Sequence, residues 1–111
     1  MTTYYKKLGG VNPSASTITS LYQVPALKST VISTINICNF GTTPALVRIG
    51  HVAADAASAV TDTDWIVYDV LVVPKATIPL SVGITMATTD SIAVYTDSAN
   101  VTFIAWGAEE A

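Results

Sequence analysis

The sequence has few charged side chains. Only 12% of its 111 residues are Asp, Glu, Lys or Arg, whereas hydrophobic residues make up 50%. A protein that stays monomeric usually carries about 25–35% charged residues on its surface, because exposed apolar area promotes association. The mean hydropathy of +0.50 therefore predicts that part of the apolar surface is covered by other subunits of an assembly.

Basic residues are scarcer than acidic ones. Five Lys and Arg stand against eight Asp and Glu, which gives a net charge of -3. Lys6 and Lys7 form the only adjacent basic pair. Because nucleic-acid binding requires clustered positive charge, the composition excludes nucleic acid as an expected partner.

The sequence also lacks an apolar run long enough to cross a bilayer. Its most apolar stretch, residues 65–73, is interrupted by Asp69 and followed by Pro74, whereas a membrane helix needs about 20 consecutive apolar residues. No signal-peptide pattern follows Met1, so we expect a protein that stays where it is made and has no membrane partner. The single cysteine, Cys38, cannot form an internal disulfide bond.

Residues suited to catalysis are almost absent. Acid–base catalysis relies most often on histidine or on paired carboxylates with shifted pKa values, and His51 is the only histidine. No nucleophile motif, phosphate-binding loop or pair of zinc-binding histidines accompanies it. We therefore expect no enzymatic activity, no catalytic residue and no cofactor. His51 is predicted to have a structural or surface role, with a ligand contact or a pH-sensitive interface as the alternative.

Three carboxylates fall in one segment, residues 53–64. Asp55, Asp62 and Asp64 could supply calcium ligands from a loop. Their spacing lacks the full EF-hand pattern, and such residues more often form solvated turns. No metal site is therefore predicted, and calcium stays as the alternative.

Two other carboxylates occupy positions with a structural meaning. Asp90 follows two threonines and is predicted to accept backbone hydrogen bonds in the turn before the next strand. Asp69 interrupts an apolar strand. It should meet Arg48 or a backbone donor if that strand is central, or deter unwanted pairing if the strand lies at an edge.

Val, Ile and Thr are abundant, and they predict strands because β-branched side chains pack well on a pleated surface. In residues 80–86 apolar and polar residues alternate strictly, which places four apolar side chains on one face. Residues 91–96 and 101–106 hold more apolar residues than one buried face needs, which predicts cover on both faces. The other predicted strands are residues 4–8, 18–24, 28–40, 44–53 and 65–73. About eight antiparallel strands with regularly spaced turns predict an all-β, single-domain, jelly-roll-like β-sandwich.

Two segments have predictions of their own, and the first of them includes the short strand at residues 4–8. Residues 1–17 are predicted to form an N-terminal arm that reaches a neighbouring subunit, ahead of a β-sandwich domain at residues 18–111. The predicted assembly contacts of this arm are Tyr4, Tyr5, Lys6 and Lys7. The alanines of residues 53–64 permit one or two helical turns, but a protruding loop is the preferred prediction. The residues that this loop should expose are Asp55, Asp62 and Asp64, with Trp65 at its end.

The aromatic residues are spread over the whole chain, as expected for core and interface positions. In the sequence, no group of them is joined by the Asn, Asp and Arg residues that would orient sugar hydroxyls. A carbohydrate-binding module that stacks a sugar on Trp65 or Tyr68 therefore stays as an alternative function.

Five segments resemble the small β-sandwich virion structural proteins of tailed bacteriophages, of the capsid decoration or cement type. These segments are residues 8–13, 18–26, 31–39, 83–95 and 101–109. The resemblance implies a structural protein that binds the major capsid protein on the capsid exterior and is made in the host cytoplasm. Proteins of this type are commonly trimeric, so it also implies a homotrimer. A tail, neck or fibre component that contacts the host receptor is the alternative.

Overall fold

Apolar and β-branched residues form eight strands in the part of the chain that the structure, a computed structural model, describes: residues 3–111. The strands are β1 (Thr3–Val11), β2 (Thr19–Gln23), β3 (Ser29–Asn39), β4 (Ala45–Val52), β5 (Trp65–Val72), β6 (Ala76–Met86), β7 (Ser91–Thr96) and β8 (Val101–Glu110). Every strand pairing is antiparallel. Between residues 3 and 111, no helix has the length and apolarity needed to span a membrane.

The strands form two four-stranded sheets that pack face to face. The first sheet has the order β1-β8-β3-β6, and the second has the order β2-β7-β4-β5. Every connection except the one between β4 and β5 therefore crosses from one sheet to the other. This interleaving of eight antiparallel strands is the arrangement of a jelly roll, and it confirms the predicted fold class.

The core lies between the two sheets and takes alternate residues from their strands. Its largest fully buried side chains include Phe103, Ile32, Ile35, Ile49, Met86 and Ile92. The alternation in residues 80–86 has the predicted effect at three of its apolar positions, since Ile84 and Met86 are buried and Leu80 packs against the same cluster. Each large aliphatic side chain buried in this way contributes about 1.5–3 kcal/mol.

Strand β7 is buried on both faces. Ile92 and Val94 point into the core, whereas Ala93 lies in a second apolar cluster with Val52 and Ala57. Cover on both faces was correctly predicted for residues 91–96. In β8, buried and half-buried residues alternate from Val101 to Trp106, so within this chain its outer face is only partly covered.

Residues 3–11 belong to the first sheet, so the structure differs from the predicted arm. Strand β1 pairs with β8 from Thr3 opposite Glu110 to Val11 opposite Phe103, and Val11 packs against the core. The glycine-rich composition that suggested flexibility serves a close approach. A Cβ atom at Gly9 would lie 2.4 Å from the carbonyl oxygen of Leu21. Of the predicted arm, residues 12–17 connect the two sheets, and residues 1 and 2 lie outside the described residues.

The connection between β4 and β5 contains residues 53–64 and one short 3-10 helix, Ala57–Ala59. The predicted loop is present, but its short helix folds back onto the second sheet. Ala57 is buried, and Val60 packs beside it against the cluster that covers β7. The middle of the loop therefore lies along the sheet, whereas residues 53–56 and 61–63 are exposed.

Candidate functional site

A shallow depression lies on the outer face of the first sheet, where β1, β8 and β3 run side by side. Its volume is about 650 Å³. We call this surface the N-terminal patch, and define it by Thr3, Tyr5, Lys7, Val31, Trp106 and Glu110. Tyr5 is 85% exposed, and Lys7 lies opposite Trp106 in the strand register. An open surface that combines two aromatic side chains with charged groups of both signs is suited to contact with a protein partner.

The four predicted assembly contacts are divided between two adjoining depressions, because successive side chains of a strand point to opposite faces. Tyr5 and Lys7 belong to the N-terminal patch. Tyr4 lines a neighbouring depression beside Glu109, and Tyr5 and Lys6 line both depressions. The Lys6 ammonium lies 2.9 Å from Glu109 Oε1. Tyr4 is 53% exposed, whereas Lys6 serves the fold through this ion pair.

A buried carboxylate ties together the strand ends next to the patch. Glu109 is only 3% exposed, and its side chain accepts a hydrogen bond from the Tyr22 hydroxyl. Because that hydroxyl has one hydrogen, Thr30 Oγ1, at 2.8 Å, donates to the Tyr22 oxygen. The Lys28 ammonium lies 3.7 Å from Glu109 Oε1, the same oxygen that the Lys6 ammonium contacts. Lys6 of β1 and Tyr22 of β2 thus contact the Glu109 carboxylate of β8 directly, and Thr30 of β3 is linked to it through the Tyr22 hydroxyl.

These contacts shift two pKa values in opposite directions. The Tyr22 hydroxyl, followed by the Lys6 ammonium, stabilises the ionised carboxylate and lowers the pKa of Glu109 below its usual 4.5, against the effect of burial. Burial and the neighbouring carboxylate raise the pKa of Tyr22 from 10.0 to about 12. The pair therefore stays in its hydrogen-bonded form across the neutral range.

The His51 side chain has a structural contact, in agreement with its predicted role. Its Nε2 atom lies 2.8 Å from Asp90 Oδ2. Asp90 also accepts backbone N–H bonds from Ala87, at 3.0 Å, and from Ala54, at 2.8 Å. The predicted turn-organising role of Asp90 is confirmed, and the same carboxylate additionally anchors the loop between β4 and β5. Burial, the largest single influence, would raise the pKa of Asp90, but the hydrogen bonds from His51 and the two backbone amides outweigh it and lower that pKa.

A second cluster lies on the outer face of the second sheet. The Arg48 guanidinium carbon is 4.2 Å from the ring centroid of Tyr68, 4.4 Å from that of Tyr95 and 5.9 Å from that of Trp65. Arg48 Nε donates to Asp69 Oδ1 at 2.6 Å, and Nη2 donates to Oδ2 at 3.3 Å. Trp65 meets Tyr68 edge to face, with 5.6 Å between their centroids. We call these five residues the arginine cluster.

Asp69 lies on an edge strand, β5, as the second alternative stated for it requires, and it also meets Arg48. At φ 53° the Asp69 backbone is in the left-handed region, where the pairing of β4 with β5 shifts register. A charge at such a bulge discourages further strand pairing at the edge. The hydrogen bonds between Arg48 and Asp69, followed by the negative charge of Asp69, raise the pKa of Arg48 above its ordinary value.

The sequence does not reveal the arginine cluster because its members come from β4, β5 and β7. The expectation that no aromatic group is joined by Arg and Asp is therefore wrong in three dimensions. Strand alternation contained a usable signal: Arg48 lies between the buried Val47 and Ile49, so its side chain must point outward. The strand register then places Tyr95 beside it.

The three loop carboxylates are not brought together. Asp55 bonds the next backbone amide, that of Ala56, at 2.8 Å, and Asp64 accepts the N–H of Thr61, also at 2.8 Å. Asp55 and Asp62 are exposed, whereas Asp64 and Trp65 are half-buried. Within residues 3–111, no group of three or more His, Cys, Asp or Glu side chains is arranged to hold a metal ion. The calcium alternative therefore has no support in this loop geometry.

Comparisons with known proteins support the fold. No protein-family model matches the chain, and no curated protein matches its sequence. A chain from the crystal structure of the T13 viral particle of IBDV has a similar fold, with a TM-score of 0.60 and 7% sequence identity. The match covers 97% of this chain but only 30% of that chain. At this identity the likeness shows the fold alone, and that fold is one found in a virus particle.

Proposed function

We propose that the chain is a virion structural protein that decorates the exterior of a tailed-bacteriophage capsid. In this role it is made in the host cytoplasm, associates as a homotrimer and ties neighbouring major capsid proteins together. It acts without catalysis or cofactor, and nucleic acid and membranes are not its partners. The similarity of its fold to part of a viral particle structure supports the virion context.

The observation that carries this proposal is the apolar exterior of an otherwise well-packed sandwich. At least ten large hydrophobic side chains are 42–91% exposed. They are Tyr4, Tyr5, Leu27, Val31, Phe40, Ile66, Tyr68, Val70, Leu71 and Val73. Monomeric proteins keep such surface small, whereas proteins in permanent assemblies bury it against partners.

The N-terminal patch is the proposed contact with the capsid. It combines the most exposed tyrosine, Tyr5, with Trp106, and aromatic residues dominate the binding energy of protein interfaces. The patch lies on paired strands of a rigid sandwich, so docking requires little ordering of the chain. A trimer that engages several capsid sites at once gains further affinity through avidity.

Reconstitution on particles that lack the protein tests this function. The purified chain is added to such particles, and its copy number is measured by quantitative gel densitometry and cryo-electron microscopy. A decoration protein binds in proportion to the major capsid protein, whereas a tail, neck or fibre component binds in far fewer copies. Sedimentation of the free chain at three times its mass of 11.6 kDa is expected for the trimer.

Point substitutions are required here, because deleting residues 1–17 would remove strand β1. Tyr5→Ser should abolish decoration, whereas Leu71→Ser, a matched change on the edge strand β5, should leave occupancy unchanged. Full occupancy with Tyr5→Ser would contradict the proposed contact. A chain that sediments at 11.6 kDa at high concentration and binds no particle would contradict the function itself.

A further inference from the structure

The arginine cluster offers solvent both an aromatic surface and hydrogen-bonding groups, and the proposed attachment to a capsid does not use it. Tyr68 is 54% exposed, although the Arg48 guanidinium carbon lies 4.2 Å from its ring centroid. The Asp69 side chain is 37% exposed. A cluster that served packing alone would have no need to leave these groups open to water.

The groups of the cluster are held in fixed positions. Two hydrogen bonds fix the plane of the Arg48 guanidinium against the Asp69 carboxylate. The Tyr95 ring, with its centroid 4.4 Å from the guanidinium carbon, and the Trp65 ring, edge to face with Tyr68, support this arrangement from β7 and from the start of β5. A preorganised surface loses little conformational entropy when a ligand binds.

The charges of the cluster select the class of ligand. Arg48 and Asp69 neutralise each other, and the whole chain carries a net charge of -3. A phosphate, a sulfate or an acidic sugar would therefore meet the Asp69 carboxylate with no unpaired positive charge to offset it. An apolar peptide would cover the ion pair without offering partners to its remaining donors and lone pairs, which is unfavourable.

A neutral pyranose ring matches both the aromatic surface and the hydrogen-bonding groups of the arginine cluster. One face of the ring carries C–H groups that pack on an aromatic side chain, and its rim carries hydroxyl groups. Those hydroxyls can accept hydrogen bonds from a guanidinium, which has five N–H donors, and can donate to a carboxylate. The bidentate bond to Asp69 uses only two of the five donors of Arg48.

We propose that the arginine cluster binds a neutral pyranose glycan. One sugar ring stacks on Tyr68, and its hydroxyl groups form hydrogen bonds with Asp69 and Arg48. Trp65 and Tyr95 hold this platform in position. A small exposed platform binds a single sugar ring with a Kd of about 1 mM, and many copies on one surface raise the effective affinity through avidity.

Saturation-transfer difference NMR of the full chain tests the proposal. The probes are maltotriose, cellotriose, N-acetylchitotriose and lactose, each at about 10 mM, which is roughly ten times the expected Kd. We expect saturation transfer to the ring protons of at least one probe, together with shifts of the Tyr68 ring resonances. Tyr68→Ala should weaken binding about tenfold or more, the loss typical of truncating a central aromatic contact.

Matched variants separate the site from general stickiness. Tyr68→Phe keeps the aromatic ring and should keep glycan binding. Tyr5→Ala removes an exposed tyrosine of the N-terminal patch and should leave glycan binding unchanged. Asp69→Asn retains a residue type that tolerates the left-handed backbone but loses the carboxylate, and should weaken binding several-fold. Saturation transfer to none of the four probes would overturn the proposal. An unchanged Kd for Tyr68→Ala in a protein with a native amide spectrum would also overturn it.

Discussion

At the scale of single residues, the hydroxyl of Tyr22 and the carboxylate of Glu109 depend on each other. Tyr22→Phe removes the donor to Glu109 and the acceptor for Thr30. It leaves a buried carboxylate less well satisfied, so we expect a loss of about 1–3 kcal/mol in the free energy of unfolding at pH 7. Denaturant unfolding measures this loss. Tyr5→Phe, which changes an exposed tyrosine, is the control and should cost about 0.5 kcal/mol or less.

The pH dependence of the same variant has a definite sign. Because the pKa of Tyr22 rises from 10.0 to about 12 on folding, its contribution is complete below pH 10.0 and is lost as the pH rises through about 12. The lowered pKa of Glu109 acts on the acid side, where its contribution is present above 4.5 and is lost as the pH falls through the folded value. The stability of Tyr22→Phe should therefore fall less steeply above pH 10 than that of the unmodified chain. Parallel alkaline profiles would contradict the pairing.

The sequence predicts single residues well where the contact is local. Asp90 accepts the N–H of Ala87, three residues earlier, and this turn could be read from the threonines before it. Tyr22 and Glu109 are separated by 87 residues, and no local pattern links them. Their contact follows only from the strand order, which brings the ends of β2 and β8 together across the sandwich.

At the scale of elements, the close packing of β3 against β8 depends on one glycine. A Cβ atom at Gly107 would lie 2.1 Å from the carbonyl oxygen of Val31 and 3.0 Å from the Cα atom of Ile32. Both neighbours are backbone atoms within a paired strand, so they have little room to move. We expect Gly107→Ala to cost about 1–3 kcal/mol, as overpacking of a core does.

A matched substitution controls for the general effect of adding a methyl group to a strand. Gly83 lies in β6, and a Cβ atom there meets nothing within 4 Å. Gly83→Ala should therefore change the free energy of unfolding by about 0.5 kcal/mol or less. Thermal and denaturant unfolding of both variants test the pair. Equal stabilities would show that β3 and β8 are not as closely packed at Gly107 as the structure indicates.

The loop between β4 and β5 depends on the carboxylate of Asp90. Asp90→Ala removes the contact with His51 and the acceptor for the Ala54 amide. Hydrogen exchange at residues 53–60 should become faster in this variant, while exchange in β3 and β8 stays unchanged, because the loop lies outside the main core. Acidification should have the same local effect as the pH falls through the lowered pKa of Asp90. Unchanged exchange in the loop would contradict the anchoring role.

Strand positions were predictable from residue types, whereas the arm and the strand register were not. Turn residues such as Pro25, Gly41 and Pro74 mark strand ends, and the corresponding strands form close to the predicted bounds. The glycines of β1 suggested flexibility, because the sequence does not show that Gly9 must pass close to the backbone of β2. The bulge at Asp69 likewise depends on the pairing of β5 with β4.

At the scale of the whole molecule, the two proposed surfaces lie on opposite sides of the sandwich. The N-terminal patch covers the outer face of the first sheet, and the arginine cluster lies on the outer face of the second. The core separates them. Attachment to a capsid through one sheet would therefore leave the other sheet directed away from the shell.

This arrangement predicts that decorated particles bind neutral glycans far more strongly than the free chain. Many copies on one particle can engage an immobilised oligosaccharide at once, and the gain from such avidity is about 10²–10⁴. The gain is measured by surface plasmon resonance, with the oligosaccharide that NMR identifies immobilised on the sensor surface. Particles carrying Tyr68→Ala should keep full occupancy but lose the glycan signal. Tyr5→Ser should abolish decoration, so these particles should show neither the protein nor the glycan signal. Glycan binding by particles without the chain, or none by fully decorated particles, would contradict the outward orientation of the arginine cluster.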